Sequence, residues 1–94
     1  MKLWLLKPAE NLTQGDNPWE PWFDKIFGFV IRSDIEGKAR QLAHQNAGCE
    51  NDNEFLGAKV SNTTTPWLDP KYSTCRELNQ DGESEVILVD ERTA

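Results

Sequence analysis

Hydrophobic residues gather in separate stretches along the chain, and the period changes from one stretch to the next. Residues 1–7, "MKLWLLK", form a short apolar run closed by Pro8, whose missing N–H ends a ladder of strand hydrogen bonds. Residues 25–32, "KIFGFVIR", alternate, with Phe27, Phe29 and Ile31 on one face and Ile26 and Val30 on the other. Gly28 interrupts the second face, which marks a bulge or a close approach of another group to the backbone. Over residues 33–48 the period becomes helical. Ile35, Ala39, Leu42, Ala43 and Asn46 form one stripe, and Lys38, Arg40 and Gln41 are expected to face water. Ser33 and Glu36 have the spacing of a capping box, Asp34 adds negative charge to the first turn, and Gly48 supplies a stop. "STCRELN" and "EVILVDER" read as two antiparallel strands joined through "QDGES", whose Asp-Gly is a hairpin signal.

These elements predict a single α+β domain over residues 1–94, in the order ββαββ, with a small antiparallel or mixed sheet and one main helix on one face. The strands are apolar on both sides, so the second face needs a cover of its own. One cover is the long connection over residues 9–24. Its segment "NPWEPWFDK" would fold Trp19, Pro21, Trp22 and Phe23 back over the sheet, and Trp67 of "PWLDP" would join from another loop. Trp22 and Phe23 are expected to pack on the domain, with Trp19 and Glu20 nearer its edge. The alternative covers are a second copy of the chain, as a homodimer through the sheet face or an edge, and a ligand held between aromatic walls. Residues 49–65 are polar and punctuated, with a short extended or helical piece at 54–60.

Charge changes the picture in one respect. Residues 1–47 carry six basic and six acidic groups, so the net charge of −6 lies wholly in residues 48–94. Such a surface disfavours direct binding to nucleic-acid phosphate or anionic lipid. The N-terminal apolar run is too short for a signal-peptide core or a membrane span, and the cytoplasm, with reduced thiols, is the expected location.

Chemistry-bearing residues are few. Cys49, Cys75 and one histidine, His44, lack the number and spacing of a zinc site, and no metal or cofactor is expected. His44 has no nucleophile or acid spaced to meet it and reads as a partly exposed surface residue. Cys75 reads as a small buried hydrophobe and Cys49 as exposed. Asp24, Glu20 and Asp69 lie near tryptophans, as the acid pair of a glycosidase would, but are better explained as solvated loop residues, with Asp69 starting a turn through its side chain. No catalytic residue is assigned.

The stretches "GDNPWEPWFDKIFGFVIRSDIEGKARQLA", "WLDPKYSTCREL" and "VILVDE" together resemble a group of short bacterial proteins of mobile gene pools, found in phage genomes and integron gene cassettes. The resemblance spans most of the chain and departs at Gly37 and in "NDNEFLGAKVSNTTT". It implies an accessory role on a mobile element and no activity, because such proteins offer no catalytic residues to carry over.

Two functions follow as expectations. The first is a non-enzymatic module that binds a protein partner through the apolar sheet face or the Trp-rich loops, a subset being an acidic mimic of nucleic acid. The second is a small-molecule binder, conceivably a small enzyme, with an aromatic-lined pocket beside Gly28. The candidate surface for either is Trp19, Glu20, Trp22, Phe23, Gly28, Trp67 and Asp69.

Overall fold

The computed structural model describes residues 1–22 and 25–78. The first apolar run becomes β1 (Lys2–Pro8), flanked by β2 (Phe29–Ser33) and by a further strand over Ser73–Leu78, both antiparallel to it. Between β2 and that further strand lie the helix α1 (Glu36–Gln45), a 3₁₀ turn (Cys49–Asn51) and a separate two-stranded hairpin of β3 (Glu54–Phe55) and β4 (Ala58–Lys59); the Ser73–Leu78 strand is therefore β5. Among the described residues the structure is thus α+β, with one α-helix and a three-stranded antiparallel sheet in the order β2-β1-β5. The expected strand "EVILVDER" and its turn "QDGES" lie outside the described residues.

Register fixes which side chains share a face. Trp4 stands opposite Ile31 and Glu77, and Leu6 opposite Phe29 and Cys75. Leu6 belongs to a buried cluster with Ala39 and Ala43 of α1 and with Trp19, Trp67 and Tyr72, while Trp4, Phe29, Ile31 and Cys75 pack against it. Helix and tryptophan loops therefore share one side of the sheet. This corrects the expectation that Trp19 and Trp67 shield the opposite face. Leu3, Leu5, Val30 and Leu78 project to that opposite side, where Leu5 and Leu78 are buried outside the aromatic cluster and Val30 is exposed.

Three boundaries differ from the sequence pattern, each for a physical reason. β2 starts at Phe29 rather than residue 25, because the Ile26 N–H goes to the Glu50 carboxylate at 3.1 Å instead of to a neighbouring strand, and the Lys25 ammonium goes to the Trp19 carbonyl. α1 starts at Glu36, and Ile35 rather than Ser33 is the N-cap, with no side-chain cap. Ser33 is the last residue of β2, paired with Lys2, and its hydroxyl donates to the Ile35 carbonyl at 2.8 Å, so it has no part in a capping box. The helix ends at Gln45, where the Asn46 N–H returns to the carbonyls of Leu42 and Ala43.

The stripe also differs. Ala39 and Ala43 are buried as expected, whereas Ile35 is 63% exposed and Arg40, expected in water, is buried. The small alanines beside it leave room for its long side chain. Arg40 donates to the Trp67 carbonyl (3.1 Å), the Ser73 hydroxyl (2.9 Å) and carbonyl (3.2 Å), and Glu36 (2.8 Å). One guanidinium thus ties helix, loop and β5 together.

Candidate functional site

The aromatic segment is held by its own backbone before any side chain packs. The Asp16 N–H closes a turn on the Thr13 carbonyl at 2.9 Å, with Gly15 at φ +90°, a conformation that favours glycine. The Asn17 N–H then donates to the Val60 carbonyl at 2.9 Å, and its side-chain oxygen accepts the Trp19 N–H at 3.0 Å. That Asx turn and the fully buried Pro18 aim the Trp19 ring inward.

Trp19 is 5% exposed and its indole N–H donates to the Tyr72 carbonyl at 3.0 Å. This reverses its expected place at the edge. The partner carbonyl is supplied 53 residues away, beyond the reach of any local sequence signal. Trp67 is wholly buried, and both Trp19 and Phe29 meet it edge to face with ring centroids 4.9 Å apart. The Trp67 indole N–H donates to Glu50 Oε2 at 2.9 Å. Glu50 is wholly buried too, and its other oxygen makes no hydrogen bond among the described residues.

Trp22 is half-buried and meets Phe55 edge to face at 5.1 Å, so it fastens the β3–β4 hairpin to the body. Glu20 is exposed, Gly28 is buried, and Phe23 lies outside the described residues. Asp69 starts a turn, as expected: its side chain accepts the Lys71 N–H at 2.9 Å and its carbonyl accepts those of Tyr72 and Ser73. The six described candidates are not gathered on one surface. Trp19 and Trp67 meet in the core, and Trp22 meets the hairpin.

A polar node pins the same loops. The Asp16 carboxylate accepts the Asn62 N–H at 2.8 Å, the Lys71 ammonium at 3.1 Å and the Tyr72 hydroxyl at 2.9 Å. The backbone donor of Asn62 is the main cause that lowers the Asp16 pKa from 3.8 to about 2, with Lys71 and Tyr72 adding to it. Burial, then the neighbouring Asp16 charge, pushes the Tyr72 phenol up, and the same charge raises Lys71. Cys75 is half-buried, and burial, reinforced by the charge of Glu36, raises its thiol, so it is a poor nucleophile. Cys49 is exposed, in line with the sequence reading.

An open cleft of about 410 Å³ lies between the turn at residues 14–21 and the base of the hairpin. Gln14, Gly15, Asn17, Glu20, Pro21, Lys59 and Val60 line it, and none of the tryptophans does. Among the described residues no group of three or more His, Cys, Asp or Glu side chains is placed to hold a metal ion, and no helix is long and apolar enough to cross a membrane.

The hairpin carries the most unusual residue position. Leu56 and Gly57 are its two turn residues, with φ of 54° and 81°, as a type I′ turn requires. Asparagine or glycine is favoured at the first of these positions, yet leucine occupies it, 91% exposed. Arg40, Glu50, Asp16 and Leu56 were all missed as site residues in the sequence. For Arg40 the signal is its place beside Ala39 and Ala43, and for Leu56 it is no more than the glycine that follows it, Gly57. Glu50 and Asp16 carry no such signal.

No protein-family model, curated protein or solved structure matches this chain.

Proposed function

We propose that this chain is a non-catalytic protein-interaction module, an accessory protein of a mobile element, which engages a folded partner by inserting the tip of its β3–β4 hairpin into an apolar pocket. The observation that carries this reading is Leu56, a bulky apolar side chain at positive φ and almost fully in water. It is unfavourable there twice over, in backbone strain and in apolar exposure, and residues held against their preferences cluster at functional positions. Attachment of the hairpin to the body supports the same reading. Phe55 rests on Trp22, the Val60 N–H closes on the Asn53 carbonyl, and the Val60 carbonyl takes the Asn17 N–H, so the tip is presented on a fixed base. A preorganised anchor loses little freedom when it binds. The aromatic segment takes part indirectly, by holding the element that recognises.

Leu56→Asn tests this, because asparagine tolerates positive φ and removes the apolar anchor. The variant is expected to gain about 1 kcal/mol in denaturant unfolding, as the strain is relieved, and to lose the partner that the wild-type chain captures and that binds it in purified form. A variant less stable than wild type would show Leu56 serving the fold. Undiminished partner binding by the variant would place the interface elsewhere.

A further inference from the structure

We infer that the cleft between residues 14–21 and the hairpin base is a second binding site, for a small zwitterion such as an amino acid or short peptide with both termini free. Its ammonium would meet Glu20 and its carboxylate Lys59. Both side chains line the cleft, and both are exposed. Among the described residues neither makes an ion pair, with the other or with any third group. One acidic and one basic side chain thus line the same cleft, neither of them engaged by an ion pair among the described residues. A ligand carrying one charge satisfies only one of them and faces the other as a like charge. A zwitterion satisfies both.

The walls are fixed by hydrogen bonds independent of the charged groups. Asn17 N–H to Val60 O (2.9 Å) and Asn62 N–H to Asp16 (2.8 Å) join the two sides, and the Trp19 N–H on the Asn17 side chain fixes the backbone that leads into Glu20. Gly15 leaves one wall without a side chain, and a Cβ there would meet nothing within 4 Å, so the backbone is accessible to a ligand. Pro21 and Val60 supply apolar surface and Gln14 an amide, the pairing that a peptide bond with a short aliphatic side chain requires. At about 410 Å³ the cleft falls within the usual range for small-molecule sites.

The probe is the dipeptide alanyl-leucine, titrated into the full ¹⁵N-labelled chain and followed by amide chemical shifts, with its N-acetylated and C-amidated forms as controls. Saturable shifts are expected at Gly15, Asn17, Lys59 and Val60, with binding weakened about fivefold by E20Q and about fivefold by K59M, typical of exposed charge pairs. Acetylating the ligand amine should weaken binding to wild type and leave binding to E20Q unchanged, and amidating the carboxylate should do the same for K59M. Both substituted residues are exposed, so the variant spectra report folding directly. Absence of saturation by about 20 mM, near the weakest affinity such a titration resolves, overturns the proposal. So do shifts that E20Q and K59M leave unchanged. Leu56→Asn does not touch the cleft, so the two proposals fail separately.

Discussion

Asp16 shows how one side chain can hold several distant parts of a small protein in place. Its carboxylate gathers a backbone N–H, an ammonium and a phenol from residues 62–72, and each favours its ionised form. Because its pKa is about 2 in the folded chain against 3.8 ordinarily, the folded state binds fewer protons than the unfolded one in this interval. The node's contribution is complete above about pH 4 and is lost as pH falls toward 2. Urea unfolding across that range should therefore show stability falling with acid, and Asp16→Asn should flatten this part of the profile. Equal slopes in the two proteins would remove Asp16 from the explanation. Little of this was legible in advance. A carboxylate in a Gly/Asn-rich loop looks the same in sequence whether it is solvated or bonded, and the distinction is made by Asn62, Lys71 and Tyr72, far along the chain. Glu50 and Arg40 hide for the same reason: pattern reading sends charges to water, whereas an indole donor and a set of carbonyl and hydroxyl acceptors draw these two inside.

At the scale of elements, an apolar run located β1, the reading of "STCRELN" as one strand of a hairpin located β5, and the 3.6-residue period located α1. Their ends were less legible because ends are decided by competition for backbone groups. Ser33 had the right identity for a cap but was already engaged by β1, and Ile26 had strand character but gave its N–H to Glu50. The helix thus begins on an isoleucine with no capping side chain and carries Gly37 in its first turns. Ile35 already has the extended dihedrals of an N-cap, φ −137° and ψ 157°, and is largely exposed. A Cβ at Gly37 meets nothing within 4 Å. Ile35→Asp and Gly37→Ala should each stabilise the chain by about 1 kcal/mol in denaturant unfolding. Destabilisation by either would mean that the helix start is set by contacts other than its own backbone. The hairpin was foreseen only as a short extended or helical piece, since its turn uses leucine where asparagine or glycine would have announced it.

For the whole molecule, the question raised by "NPWEPWFDK" was whether an aromatic cluster in a loop is a recognition surface or part of the core. The two tryptophans of that segment have different places: Trp19 enters the core against Trp67, and Trp22 fixes the hairpin. These rings hold in place the two proposed recognition elements, the Leu56 tip and the cleft beside it. Composition indicated a folded domain and the apolar strands indicated a sheet. Which of two tryptophans three residues apart turns inward depends on a carbonyl at Tyr72, and no local pattern contains it. The most direct measurement is hydrogen exchange of the four indole N–H groups by NMR, in the free protein. With Trp19 bonded to Tyr72 and Trp67 to Glu50 inside the core, both indoles should exchange at least about a hundredfold more slowly than a free indole, close to the rate set by global unfolding. Exchange of the Trp19 indole at the free rate would contradict this, and would return the aromatic segment to the surface as a site of binding.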